Sequence, residues 1–174
     1  MLKYLDLHGK DIYSSDNRCI GFIDNGIVNF KNKSIASIII SNGRLFPSLY
    51  IAPFSDLVFM KEKILLKNTP NRLRRRKLSK ALCYTIEGLI GRDIIDGDGV
   101  LLGEVEDVIF DHKGGTLKAV ICKRGFYDDL IRGKKVMIIN EGFIIKKDYL
   151  IAPKSNIEMI CEISFTKNFE KVIG

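Results

Sequence analysis

The chain has 174 residues, 46% of them hydrophobic and 28% charged, with a formal net charge of +7. That is enough apolar material for one domain or two small ones, and no run reaches about 18 uninterrupted apolar residues, which excludes a membrane-spanning helix. Residues 1–10 carry Lys3, Asp6 and Lys10 and lack the apolar stretch of a signal peptide, so the cytosol is the expected location.

Taken in chain order, the first clear signal is Gly9-Lys10-Asp11-Ile12, because it returns as Gly91-Arg92-Asp93-Ile94, an offset of 82 residues (9 to 91). The same offset puts Ile20-Gly21 on Leu102-Gly103, Ile27 on Ile109, residues 35–40 on 117–122 and Gly43 on Gly125. Residues 35–40 and 117–122 are short apolar runs ended by those glycines, and read as strands. Ile51-Ala52-Pro53 reappears as Ile151-Ala152-Pro153 at an offset of 100 (51 to 151), which implies an 18-residue insertion in the second copy between Gly125 and Ile151. Within it, residues 136–139 and 143–145 flank Asn140-Glu141-Gly142 and read as a hairpin.

Residues 69–90 hold Arg72, Arg74, Arg75, Arg76, Lys77 and Lys80 against one acid, Glu87, so most of the net charge sits on a connector. Asp96-Gly97-Asp98-Gly99 is a turn, because glycine reaches positive φ cheaply and Asp bonds its own backbone, and it closes a hairpin. His112-Lys113-Gly114-Gly115 is the next turn. Short strands at this spacing imply a small barrel or sandwich. The expected layout is an N-terminal domain at 1–67, a basic linker at 68–87, a C-terminal domain at 88–165 and a tail at 166–174. Each copy is small for an independent core, so packing the two together would help both.

Three segments of the second copy carry a family resemblance: Gly91-Arg92-Asp93-Ile94-Ile95-Asp96, then Gly99 to Asp111 with Gly103-Glu104-Val105-Glu106-Asp107 at its centre, then Gly115-Thr116-Leu117-Lys118-Ala119-Val120-Ile121. This pattern resembles the PRC-barrel family, over most of residues 88–162 and more weakly over 9–67. The family includes the cytoplasmic domain of a reaction-centre subunit, the C-terminal domain of a ribosome maturation factor and small sporulation-associated proteins. The last group is the most similar in layout. The resemblance implies an all-β chain of two small antiparallel barrels in tandem, each of five or six strands. It also implies an adaptor or scaffold that binds a protein partner, with a sporulation-linked role, and no shared catalytic residues.

The residues themselves carry little chemistry. Nucleophilic catalysis needs a base beside a Ser or Cys, and only His8 and His112 offer imidazole, both read as surface residues. Glu104 and Glu106 fall on one strand face with Val105 on the other, read as a solvated face. Asp96 and Asp98 lack the glycine and the terminal Glu of a calcium loop. Cys19, Cys83, Cys122 and Cys161 lack metal-site spacing, and Cys19, Cys122 and Cys161 read as small apolar strand residues. No catalytic residue, metal, cofactor or small-molecule substrate is expected.

Two binding surfaces remain. Arg72, Arg74, Arg75, Arg76, Lys77 and Lys80 can make phosphate contacts, which makes an RNA- or ribosome-associated module the alternative function. Leu78 and Leu82 could lay the same stretch on an anionic membrane surface, a weaker reading. Phe126, Tyr127, Leu130 and Arg132, at the start of the insertion, suit a protein contact.

Overall fold

A computed structural model describes residues 1–43, 47–74, 84–124 and 135–153. The described chain is mostly β. In order, it runs β1 (Leu2–Lys3), α1 (Tyr4–Leu7), β2 (Asp11–Ser14), β3 (Cys19–Asn29), β4 (Ser34–Ser41), β5 (Leu49–Pro53), a short 3-10 turn (Phe54–Asp56), β6 (Leu57–Phe59), β7 (Ile64–Leu66) and β8 (Asn71–Arg72). It continues with α2 (Ile86–Leu89), β9 (Asp93–Ile95), β10 (Leu101–Phe110), β11 (Leu117–Lys123), β12 (Lys135–Ile138), β13 (Ile144–Ile145) and β14 (Tyr149–Ile151).

These strands form two sheets. The first has the order β6-β7-β2-β3-β4-β5-β8, and the second β13-β14-β9-β10-β11-β12 with β1 also paired to β10. Strand for strand, the two orders match from β6/β13 to β5/β12. Both expected turns are present: β9 and β10 pair antiparallel across residues 96–99, and β10 and β11 pair across 112–115. Asp96 drives the first of these, its Oδ1 accepting from the N–H groups of Asp98 and Val100, both at 2.9 Å.

Two sequence expectations are corrected. Ile51 and Ala52 lie on β5 opposite Ile39 and Ile38, whereas Ile151 lies on β14, parallel to β9 at Ile95. The repeated Ile-Ala-Pro therefore joins strands at different places in their sheets, because three residues are too few to define a register. Matched by strand order, Ile12 beside Ile64 corresponds to Ile94 beside Leu150, so the offset grows only from 82 to 86 (64 to 150) and an 18-residue insertion is not needed. The hairpin expected around residues 140–142 is also absent: β12 pairs with β11 and β13 with β14.

The halves are built into one another. β1 pairs with the far end of β10, Lys3 opposite Ile109, while Thr85 bridges to Ile27 on β3. Each half thus pairs backbone with the other, through a two-residue strand in one direction and a single bridge in the other, at positions separated by the same 82 residues. Between them the β3–β4 and β10–β11 hairpins meet at a Ser34–Thr116 bridge. It is flanked by Ile35 N–H to Gly115 O and Leu117 N–H to Lys33 O, both 2.8 Å. One buried cluster runs through both halves, including Tyr4, Ile38, Phe54, Leu89, Phe110 and Phe143. Phe54 of the first half meets Phe110 of the second edge-on, ring centroids 5.8 Å apart.

The stretch expected as a basic linker contributes secondary structure in its described parts. Asn71–Arg72 is an edge strand on β5, and residues 84–89 pack on the first half before α2 leads into β9. Thr85 caps α2, its Oγ1 accepting from Gly88 N–H at 3.1 Å.

Candidate binding surfaces

Both faces of the second sheet are buried along β10–β12, Val108, Phe110, Val120 and Met137 in the main cluster and Ile109, Ala119, Ile121 and Val136 in a second one, so polar chemistry is left to the strand ends, the loops and the seam between the halves. At the seam, Tyr4 is fully buried at the start of α1, its hydroxyl donating to Asn25 Oδ1 at 3.4 Å and Asp24 O at 3.3 Å. Asn25 Nδ2 donates to Glu87 Oε2 at 2.8 Å, and Glu87 in turn lies 3.4 Å from His8 Nε2. At the matching place on β10, buried Asp107 accepts from Val108 N–H at 2.7 Å and, more weakly, from Leu5 N–H. His8 is exposed, as the sequence implies, and stands beside the Glu87 carboxylate at the seam. His112 packs edge-on against Phe59 of the other half at 6.0 Å.

Burial raises the Asp107 carboxyl above the ordinary carboxylate range, partly offset by its two N–H donors. Burial raises Glu87 likewise, partly offset by His8. An acid whose folded pKa is raised binds its proton more tightly in the native state. Its contribution to stability is therefore full below the unfolded pKa, about 4, and is lost as pH rises through the folded value. Chemical denaturation of the wild type should show this fall in stability on the basic side of pH 4. Asp107→Asn should flatten it, and an unchanged slope would contradict the burial of that charge.

Glu104 pairs with Lys123 at 3.1 Å while Val105 is buried, as the strand period implies. Cys122 is buried on β11, but Cys19 is exposed at the start of β3, because the strand there has not yet entered the core. Cys83 and Cys161 lie outside the described residues. Among the described residues, no three His, Cys, Asp or Glu side chains gather as a metal site would require. No described helix is long and apolar enough to cross a membrane.

Of the basic residues, Arg72 and Arg74 are described, exposed at and beyond β8, the outer strand of the first sheet. Arg75, Arg76, Lys77 and Lys80 lie outside the described residues, as do Phe126, Tyr127, Leu130 and Arg132.

Sequence reasoning missed Lys135. It sits on β12 opposite Cys122, only 2% exposed, and among the described residues its amine has no hydrogen-bond partner. Burial, with Arg124 adding to it, pushes its pKa down. A buried, unpaired polar end costs about 1–3 kcal/mol. Lys135→Met keeps the stem and removes the amine, so thermal denaturation should show a gain of about 1–2 kcal/mol. A loss would mean the amine has a stabilising role.

The other missed feature is a pair of matching loop regions. In the second half the Arg92 guanidinium donates to Lys146 O at 2.9 Å and lies 5.8 Å from the Phe30 ring centroid, with Tyr84 packed on Phe30 at 5.2 Å. In the first half the corresponding place, beside Lys10 and Met60, is an open cavity of about 330 Å³.

Compared with known families, residues 84–155 match the PRC-barrel domain. The chain thus carries a PRC-barrel domain in its second half. A search of curated proteins gives no match.

Proposed function

We propose that the chain is a non-enzymatic adaptor, a tandem of two PRC-type barrels of which the first completes the second, and that its partner is a protein. The observation that carries this reading is the shared strand order of the two sheets together with their reciprocal backbone pairing at Lys3–Ile109 and Thr85–Ile27. Such a construction presents two related surfaces in a set arrangement, which suits a scaffold. The sporulation setting is proposed from the family resemblance alone. The test is an affinity pull-down from the native organism, with and without nuclease, using wild type and a variant with Arg74, Arg75 and Arg76 replaced by Ser. Protein partners that survive both treatments support the adaptor. A chemical activity of the purified protein that is abolished by changing Glu104 or Glu106 would sink it.

A second reading, an RNA- or ribosome-associated module, is favoured by Arg72 and Arg74, which lie exposed on the outer edge of the first sheet beside further arginines in the sequence. Arginine–phosphate contacts release counterions, so this reading requires binding to weaken steeply with salt. Partners lost with nuclease and with the arginine replacement would favour it over the protein adaptor.

A further inference from the structure

The cavity at the loops of the first half has a counterpart whose occupant is visible. By strand order, Lys10 corresponds to Arg92, Met60 to Lys146 and Leu2 to Tyr84. The correspondence extends to hydrogen bonds: Met60 N–H donates to Lys63 O at 2.9 Å, as Lys146 N–H does to Tyr149 O at 3.0 Å. The two loops therefore make the same turn, which leaves the carbonyl of Met60 placed as that of Lys146 is. In the second half that carbonyl is taken by the Arg92 guanidinium, which reaches across to the Phe30–Tyr84 wall. In the first half the arginine is missing, and by the same correspondence His112 and Leu2 stand where Phe30 and Tyr84 stand in the second. Phe59, edge-on to His112, gives an aromatic wall, and Asp6, Asp11 and Glu62 line the cavity with carboxylates. Of the three lining lysines, Lys63 turns its amine to Asn17 Oδ1 at 3.0 Å and over the Tyr13 ring. Met60, a large apolar side chain left 58% exposed, stands beside the opening, as docking surfaces often show.

We infer that this cavity is a docking site for an arginine side chain of a protein partner, which would take the place Arg92 takes in the second half. A guanidinium suits it better than an ammonium. It is planar, it stacks on an aromatic ring, and its fork can bond a carbonyl and a carboxylate at once. Lys10 has the charge at this position without the plane or the fork. The inference rests on the adaptor reading and gives its partner a chemistry.

The test uses the full-length ¹⁵N-labelled chain and three short capped peptides, Gly-Arg-Gly and its lysine and citrulline counterparts, followed by NMR. The expected result is that the arginine peptide shifts the amide signals of Tyr13, Phe59 and Met60, with the other two binding about tenfold more weakly. Lys10→Arg builds the plug of the second half into the first, and should abolish those shifts in a folded protein. Arg92→Lys should do the reverse, opening a second site that shifts Lys146 and Tyr149. Equal binding of the three peptides, or Lys10→Arg leaving binding unchanged, overturns the inference. The adaptor reading is tested apart from this. A protein captured equally by wild type and Lys10→Arg overturns the arginine site and leaves the adaptor standing. Arginine-peptide binding with no protein captured supports the site and counts against the adaptor.

Discussion

Residues 84–174 expressed alone should not give a folded domain, although residues 84–155 match the PRC-barrel domain. The cut removes β1 from the far end of β10, and it strips Gly115 and Leu117 of their hydrogen bonds to Ile35 and Lys33. It also removes Phe54 from Phe110, and Tyr4 and Leu7 from the shared cluster. Each large apolar side chain returned to water costs about 1.5–3 kcal/mol, so losing a few such contacts is comparable to the whole stability of a domain this size, roughly 5–10 kcal/mol. The expected NMR spectrum of 84–174 is poorly dispersed, and so is that of 1–83. Equimolar mixing should restore dispersion and a cooperative melt, because each fragment carries the segment the other lacks. A fragment that melts cooperatively near the temperature of the intact chain would show that the exchange between halves is decoration.

Much of this arrangement was legible in the sequence, and the part that was not has a physical reason. The offset of 82 pairs residues that take the same ladder positions in the two sheets, Ile12 opposite Gly21 and Ile94 opposite Gly103, because register is fixed where a strand face is buried. The closing strands were misassigned because β5, β7, β12 and β14 are short, and a shared Ile-Ala-Pro outweighed strand order. The exchange at the seam was missed because β1 and α1 together span only six residues and carry no strand or helix signature. The one available clue was that the repeat extends backwards, Leu7 onto Leu89. The candidate site was less legible. Nothing in the residue type of Lys10 announces a cavity. Only its contrast with Arg92, together with the folded position of Met60, shows what it leaves open. The arginines at 72 and 74 were found by composition, and their place at a sheet edge could come only from the fold.

The other large effect is expected at Gly103. It sits on β10 where the pairing with β9 shifts register, with φ at +139°, a conformation that side chains rarely adopt. An added Cβ would run into the carbonyl oxygen of Lys123 and the sulfur of Cys122. The carbonyl cannot move without breaking the β10–β11 ladder, which holds the middle of the second sheet. Backbone strain of this kind costs about 1–3 kcal/mol, and the overlap adds to it, so Gly103→Ala should lose about 3 kcal/mol or more. For a chain of this size, that is a fall in melting temperature of about 6–12 °C. Gly21 gives the same test in the other half: its φ is +146°, it lies at the matching shift between β2 and β3, and its Cβ would strike the carbonyl of Ser41. Gly97 is the control, since nothing lies within 4 Å of a Cβ there, and Gly97→Ala should change stability by less than about 0.5 kcal/mol. Because the halves share one core, either damaging change should lower a single transition of the whole molecule rather than split it into two. Two separate transitions in Gly103→Ala would mean that the first half holds its fold without the second, against the fragment result expected above.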